Sequence, residues 1–157
     1  MLRNIPLIKI FLIAYVWAAV TAFSPLVETG LEVSVLLGNK RYLLLFAERI
    51  IFILAITIPF DIRDFDQDRE HSLVTIPSLA GTRVSKMFSI FLLLIYVLIT
   101  IKLYGKGMEM LVLLLSGILA SILILRSRKE LPDIYFTGLI DGLLVLQPIL
   151  ILLLRWL

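Results

Sequence analysis

Four aspartates, a glutamate and two arginines crowd the stretch Pro59-Phe60-Asp61-Ile62-Arg63-Asp64-Phe65-Asp66-Gln67-Asp68-Arg69-Glu70. If a helix runs through it at about 100° per residue, Asp61, Asp64 and Asp68 fall within about 60° of one another, and Asp66 points to the opposite face. Like charges at these spacings repel and destabilise a helix, so a positive partner is expected. A hard divalent cation is a natural one. Magnesium takes carboxylate oxygens, keeps several waters and commonly bridges to a substrate's phosphates, where it neutralises the charge on a departing diphosphate. Asp61, Asp64 and Asp68 are therefore the candidate metal ligands and catalytic residues. Arg63, Arg69, Arg83 and Lys86 are the candidate direct partners for phosphate. The alternative is a solvated charged loop in which Arg63 and Arg69 merely pair with the aspartates.

Other residues bear on chemistry less directly. Glu48, Arg49 and Asp141 interrupt apolar runs, where ionised groups are expensive and turn toward protein or water. They are read as pairing with neighbours, as cavity lining, or, for Glu48 and Arg49, as the interfacial start of a helix. His71, the single histidine, follows the acidic stretch and is read as a solvated loop residue, with help in acid–base work at neutral pH as the alternative. Tyr96, Tyr104 and Tyr135, with Trp17 and Trp156, suit aromatic belts at the two membrane interfaces. Gly117 and Ser121, four residues apart, permit close helix contact. No glycine-rich phosphate loop, nucleophile elbow or His-Glu-x-x-His motif occurs. The absence of cysteine excludes disulfides and thiolate-bound metals.

The elements that must position these groups are set by composition. Of 157 residues, 61% are hydrophobic and only 17% charged, with a mean hydropathy of +1.05, against about a quarter charged in an ordinary soluble domain. The apolar residues form blocks near the length that crosses about 30 Å of hydrocarbon. The expected spans are Pro6–Phe23, Tyr42–Phe60, Met87–Leu103, Met110–Leu125 and Tyr135–Leu154, about five in a single transmembrane domain. Solid blocks such as Phe91-Leu92-Leu93-Leu94-Ile95 predict helices rather than the alternating strands of a barrel. Ser24–Arg41 is expected as a loop with a short interfacial helix, and Asp61–Lys86 as an acidic loop. Val20-Thr21-Ala22 resembles a signal-peptide cleavage site, yet Trp17 and Phe23 favour a retained helix. Arg3, Lys9, Arg63, Arg69, Arg83, Lys86, Arg126, Arg128 and Lys129 would share one side, against Lys40, Arg41, Lys102, Lys106 and Arg155 on the other. That bias predicts a cytoplasmic N-terminus and acidic loop. The net charge of +3 is scattered and offers no clustered basic face for nucleic acid.

Asp61-Ile-Arg-Asp64-Phe-Asp-Gln-Asp68-Arg69, then Thr75-Ile76-Pro77 and Gly81, resembles the second aspartate-rich motif of the UbiA-type intramembrane prenyltransferases. The resemblance implies an all-α, polytopic membrane bundle corresponding to helices five to nine of that fold. It also implies Mg2+, a polyprenyl diphosphate held through Asp61, Asp64 and Asp68 with Arg69 nearby, and prenyl transfer to an acceptor. Ser72 and Val74 stand where the family usually has Gly and Lys, and the family's first aspartate-rich motif has no counterpart here. The chain would then be a fragment, a split half working with a partner that carries the first motif, or a degenerate relative.

The resulting expectation is a UbiA-like prenyltransferase, or the C-terminal half of one, embedded among the lipids of a bacterial or archaeal cell membrane. The alternative is a non-catalytic membrane scaffold or partner subunit that kept the fold. A transporter using Glu48, Arg49 and Asp141 as its polar path is a third reading.

Overall fold

The computed structural model describes residues 8–71 and 73–156. Arg3, Pro6, Ser72 and the side chain of Arg155 lie outside the described residues. Among those described, the chain is all-helical. Five helices are long and apolar enough to cross a membrane: α1 (Ile8–Glu28), α3 (Lys40–Arg63), α5 (Ile76–Tyr104), α6 (Met108–Arg126) and α7 (Tyr135–Leu154). Two short helices join them, α2 (Val33–Gly38) before α3 and α4 (Phe65–Glu70) after it. Two π-helical turns, Ala19–Phe23 in α1 and Tyr135–Ile140 at the start of α7, widen their helices locally.

Large apolar side chains such as Phe91, Leu94, Leu98 and Leu115 point outward. In water that would be an aggregation hazard; in hydrocarbon it is the expected surface, and we read the chain as an integral membrane protein. α3 is the central helix. Its unbroken buried run Phe52–Ile56 is the signature of an element enclosed on several sides. α1 and α5 pack on it, α6 packs on α5, and α7 packs on α6. α1 meets α3 through Ile10, Ala14 and Ala18, all buried and spaced one turn apart, so small residues bring the backbones close. Gly117 does the same between α6 and α5. A Cβ added there would lie 3.2 Å from Cε1 of Tyr96.

Three expectations are corrected. The acidic loop is shorter than Asp61–Lys86, because α3 runs on to Arg63 and α5 starts at Ile76 instead of Met87. The early start has a local cause: Thr75 and Ser78 cap the helix reciprocally, with Pro77 in its first turn. Gly81, at φ 82° and ψ 160°, then kinks α5, a conformation that a residue with a side chain rarely adopts. Second, Tyr96 is no interfacial residue. It is fully buried, and its hydroxyl donates to the Leu113 carbonyl at 3.0 Å. Third, the single helical stripe expected through Asp61, Asp64 and Asp68 is interrupted at Asp64, the residue between α3 and α4.

Candidate functional site

A cleft of about 370 Å3 opens where the start of α1, the end of α3 and the start of α7 lie side by side, a volume of the order that holds small-molecule ligands. α3 forms its floor through Ile53, Ile56, Thr57 and Phe60. α1 contributes Lys9, Ile13 and Trp17 on one wall, and α7 contributes Leu144 and Val145 on the other. Lys9 and Trp17 are two turns apart, so the cleft runs about 12 Å along α1. One end is charged, with Lys9, Asp61, Arg63, Asp64 and Asp141; the remainder is almost wholly apolar. Three carboxylates there face two cationic side chains.

Asp61 lies in the last turn of α3, only 4% exposed. Its Oδ2 is buried and finds no hydrogen-bond donor among the described residues. Such an atom costs free energy unless something charged or hydrogen-bonding reaches it. Lys9 attracts the Asp61 charge, while Asp68 and Asp64 repel it. Asp68 is buried too, on α4. Burial pushes its carboxyl pKa above the usual value, and the nearby Asp64 adds to that, against the pull of Lys9 and His71. Asp64 is held by its neighbour: Nε of Arg63 donates to Oδ1 at 2.7 Å and NH2 to Oδ2 at 3.1 Å. Asp66 faces elsewhere and pairs with Lys129 at 2.8 Å.

Among the described residues, no three His, Cys, Asp or Glu side chains converge closely enough to hold a metal ion by themselves. What the site offers is two buried carboxylates close enough to repel each other, one with an unpartnered oxygen. That donor set fits Mg2+, which is commonly bound through one or two carboxylates plus water and phosphate oxygens.

The expected phosphate partners are dispersed. Arg63 is committed to Asp64, reaches Asp133 at 3.5 Å, and lies against the rings of Phe60 and Phe136 at 5.3 and 5.6 Å. Lys86 donates to the carbonyls of Leu125 and Ser127, closing the end of α6. Arg69 and Arg83 are exposed and do not line the cleft. His71 is likewise exposed. Sequence reasoning missed Lys9, which reads as a lysine snorkelling from a helix end. The signal available was its place beside the Ile10–Ala14–Ala18 stripe, which puts it at the edge of the face that meets α3. Asp141 does line the cleft, whereas Glu48 and Arg49 do not. Those two are mutual partners: Oε1 of Glu48 accepts from Thr100 at 3.1 Å, its Oε2 lies 3.7 Å from Arg49, and Arg49 donates to Gln147. Comparison with protein-family models, curated proteins and solved structures gave no match.

Proposed function

We propose that the cleft binds a polyprenyl diphosphate through Mg2+, and that the chain is a UbiA-like prenyltransferase or the C-terminal half of one. The observation that carries this reading is Asp61: a buried carboxylate with an unpartnered oxygen at the charged end of an otherwise apolar cleft. An excess of carboxylate over cation repels a bare diphosphate, so an anionic head group requires a bound cation. Asp61 and Asp68 would hold it, with Asp64 adding negative charge beside them. A bound Mg2+ supplies neutralisation of charge on the diphosphate. The chain's own residues do the rest. Ile13, Ile53, Ile56, Leu144 and Val145 take the hydrocarbon out of contact with water, and Arg63 fixes the orientation of Asp64. The charged end of the cleft faces the cytoplasm in this reading, following the distribution of basic residues.

The test is binding of a non-hydrolysable farnesyl diphosphate analogue to the purified chain in lipid nanodiscs, with Mg2+ and with chelator. Binding should require Mg2+, and Asp61→Asn should weaken it roughly tenfold or more, at least the loss that follows when a group supporting a metal ligand is removed. Binding that ignores both the chelator and the substitution overturns the assignment. No binding under any condition favours the non-catalytic scaffold or partner subunit.

A further inference from the structure

Three cationic side chains near the acidic segment are already committed, and Arg69 is exposed and does not line the cleft, which narrows where an anion is held. The guanidinium of Arg63 spends Nε and NH2 on Asp64 and NH1 on Asp133. The ammonium of Lys86 is bound to two main-chain carbonyls. Lys129 is paired with Asp66. Lys9 differs from all three: it lines the cleft, its ammonium makes no hydrogen bond to another described residue, and its charge acts on both Asp61 and Asp68. It stands on the α1 wall of the cleft, at the charged end where the α3 floor carries Asp61. An ammonium has three rotatable donors on a flexible stem, suited to following an anion that arrives with its own metal ion.

We propose that Lys9 is the direct ligand of the diphosphate head group in this cleft, gripping the anion from α1 while the carboxylates at the charged end hold its metal. The proposal rests on the diphosphate-binding reading above. It moves the phosphate contact from the loop cations to the first helix. It also gives Lys9 two opposed effects: the ammonium attracts the diphosphate but repels the metal ion from Asp61 and Asp68. Removing it should weaken one ligand and strengthen the other, which generalised damage to the fold does not do.

The experiment uses the full chain in nanodiscs and three probes: inorganic diphosphate with Mg2+, the farnesyl diphosphate analogue with Mg2+, and Mn2+ alone followed by its electron-spin resonance signal. Lys9→Gln should weaken the first two about tenfold, the scale of a lost charge-assisted contact. It should leave Mn2+ affinity unchanged or raise it. Lys9→Arg should restore diphosphate binding to within about threefold, since the charge is kept. A Lys9→Gln variant that binds both diphosphates like wild type overturns the proposal, as does one that loses Mn2+ along with them. Failure of Lys9→Arg to restore binding overturns it too. If wild type shows no Mg2+-dependent binding of either diphosphate, the underlying reading falls and Lys9 falls with it. Loss of the analogue alone, with inorganic diphosphate bound normally, places Lys9 on the hydrocarbon and also overturns the role.

Discussion

Asp68 is a buried acid whose pKa is raised chiefly by that burial. The sign of the consequence follows directly. An acid with a folded pKa above its unfolded value prefers its proton in the fold, so it opposes folding increasingly as pH rises through that range. A cation can use the carboxylate only once the proton has gone. Mn2+ affinity should therefore rise with pH through and above the usual carboxylate range, and Asp68→Asn should flatten the rise. A wild-type affinity that does not change over that range would remove Asp68 from the site. The residue types were legible in the sequence because aspartates at this spacing are conspicuous. Their individual fates were not. The Arg63–Asp64 pair, the burial of Asp61 and the approach of Lys9 depend on contacts between helices distant along the chain.

At the scale of elements, the charged residues away from the cleft act as ties. Glu48 and Arg49 of α3, Thr100 and Tyr96 of α5 and Gln147 of α7 are joined by an ion pair between Glu48 and Arg49 and by hydrogen bonds from Thr100 to Glu48, from Arg49 to Gln147 and, at 3.4 Å, from Gln147 to the Tyr96 hydroxyl. In hydrocarbon a polar group stripped of its partner has no water to turn to. Gln147→Leu leaves a guanidinium donor of Arg49 without its acceptor and should lower stability by about 1–3 kcal/mol. Reversible denaturant unfolding in mixed micelles measures this, and an unchanged midpoint would show that the tie contributes nothing. Sequence placed these residues inside apolar spans but could not say which helices they join. It also misplaced the start of α5: the polar residues Ser78, Thr82, Arg83, Ser85 and Lys86 lower local hydropathy, although Thr75, Pro77 and Ser78 carry a readable helix-start signal.

For the whole molecule, five membrane crossings would put Arg69 and Lys106 on opposite sides of the membrane. Both are exposed, and the chain has no native cysteine, so single substitutions report cleanly. With the acidic segment cytoplasmic, as proposed above, a membrane-impermeant maleimide applied to intact cells should label Lys106→Cys and spare Arg69→Cys until the cells are opened. The reverse pattern would invert the orientation, and labelling of both from one side would break the five-span topology. The number and order of spans were legible because block length against bilayer thickness is a strong constraint. The cleft was not, because hydropathy carries no information about which helix stands beside which. α1 packs on α3 and α7 on α6, so the two walls of the cleft come from the first and last helices and flank an apolar slot floored by α3. A long-tailed lipid of the kind proposed above partitions into the surrounding leaflet before it reaches such a slot. Its occupancy is then governed by its mole fraction among the lipids rather than by its aqueous concentration, and detergent monomers compete for the same slot. Affinities measured in micelles and in bilayers should accordingly diverge, and only the bilayer values report how full the cleft is in a cell.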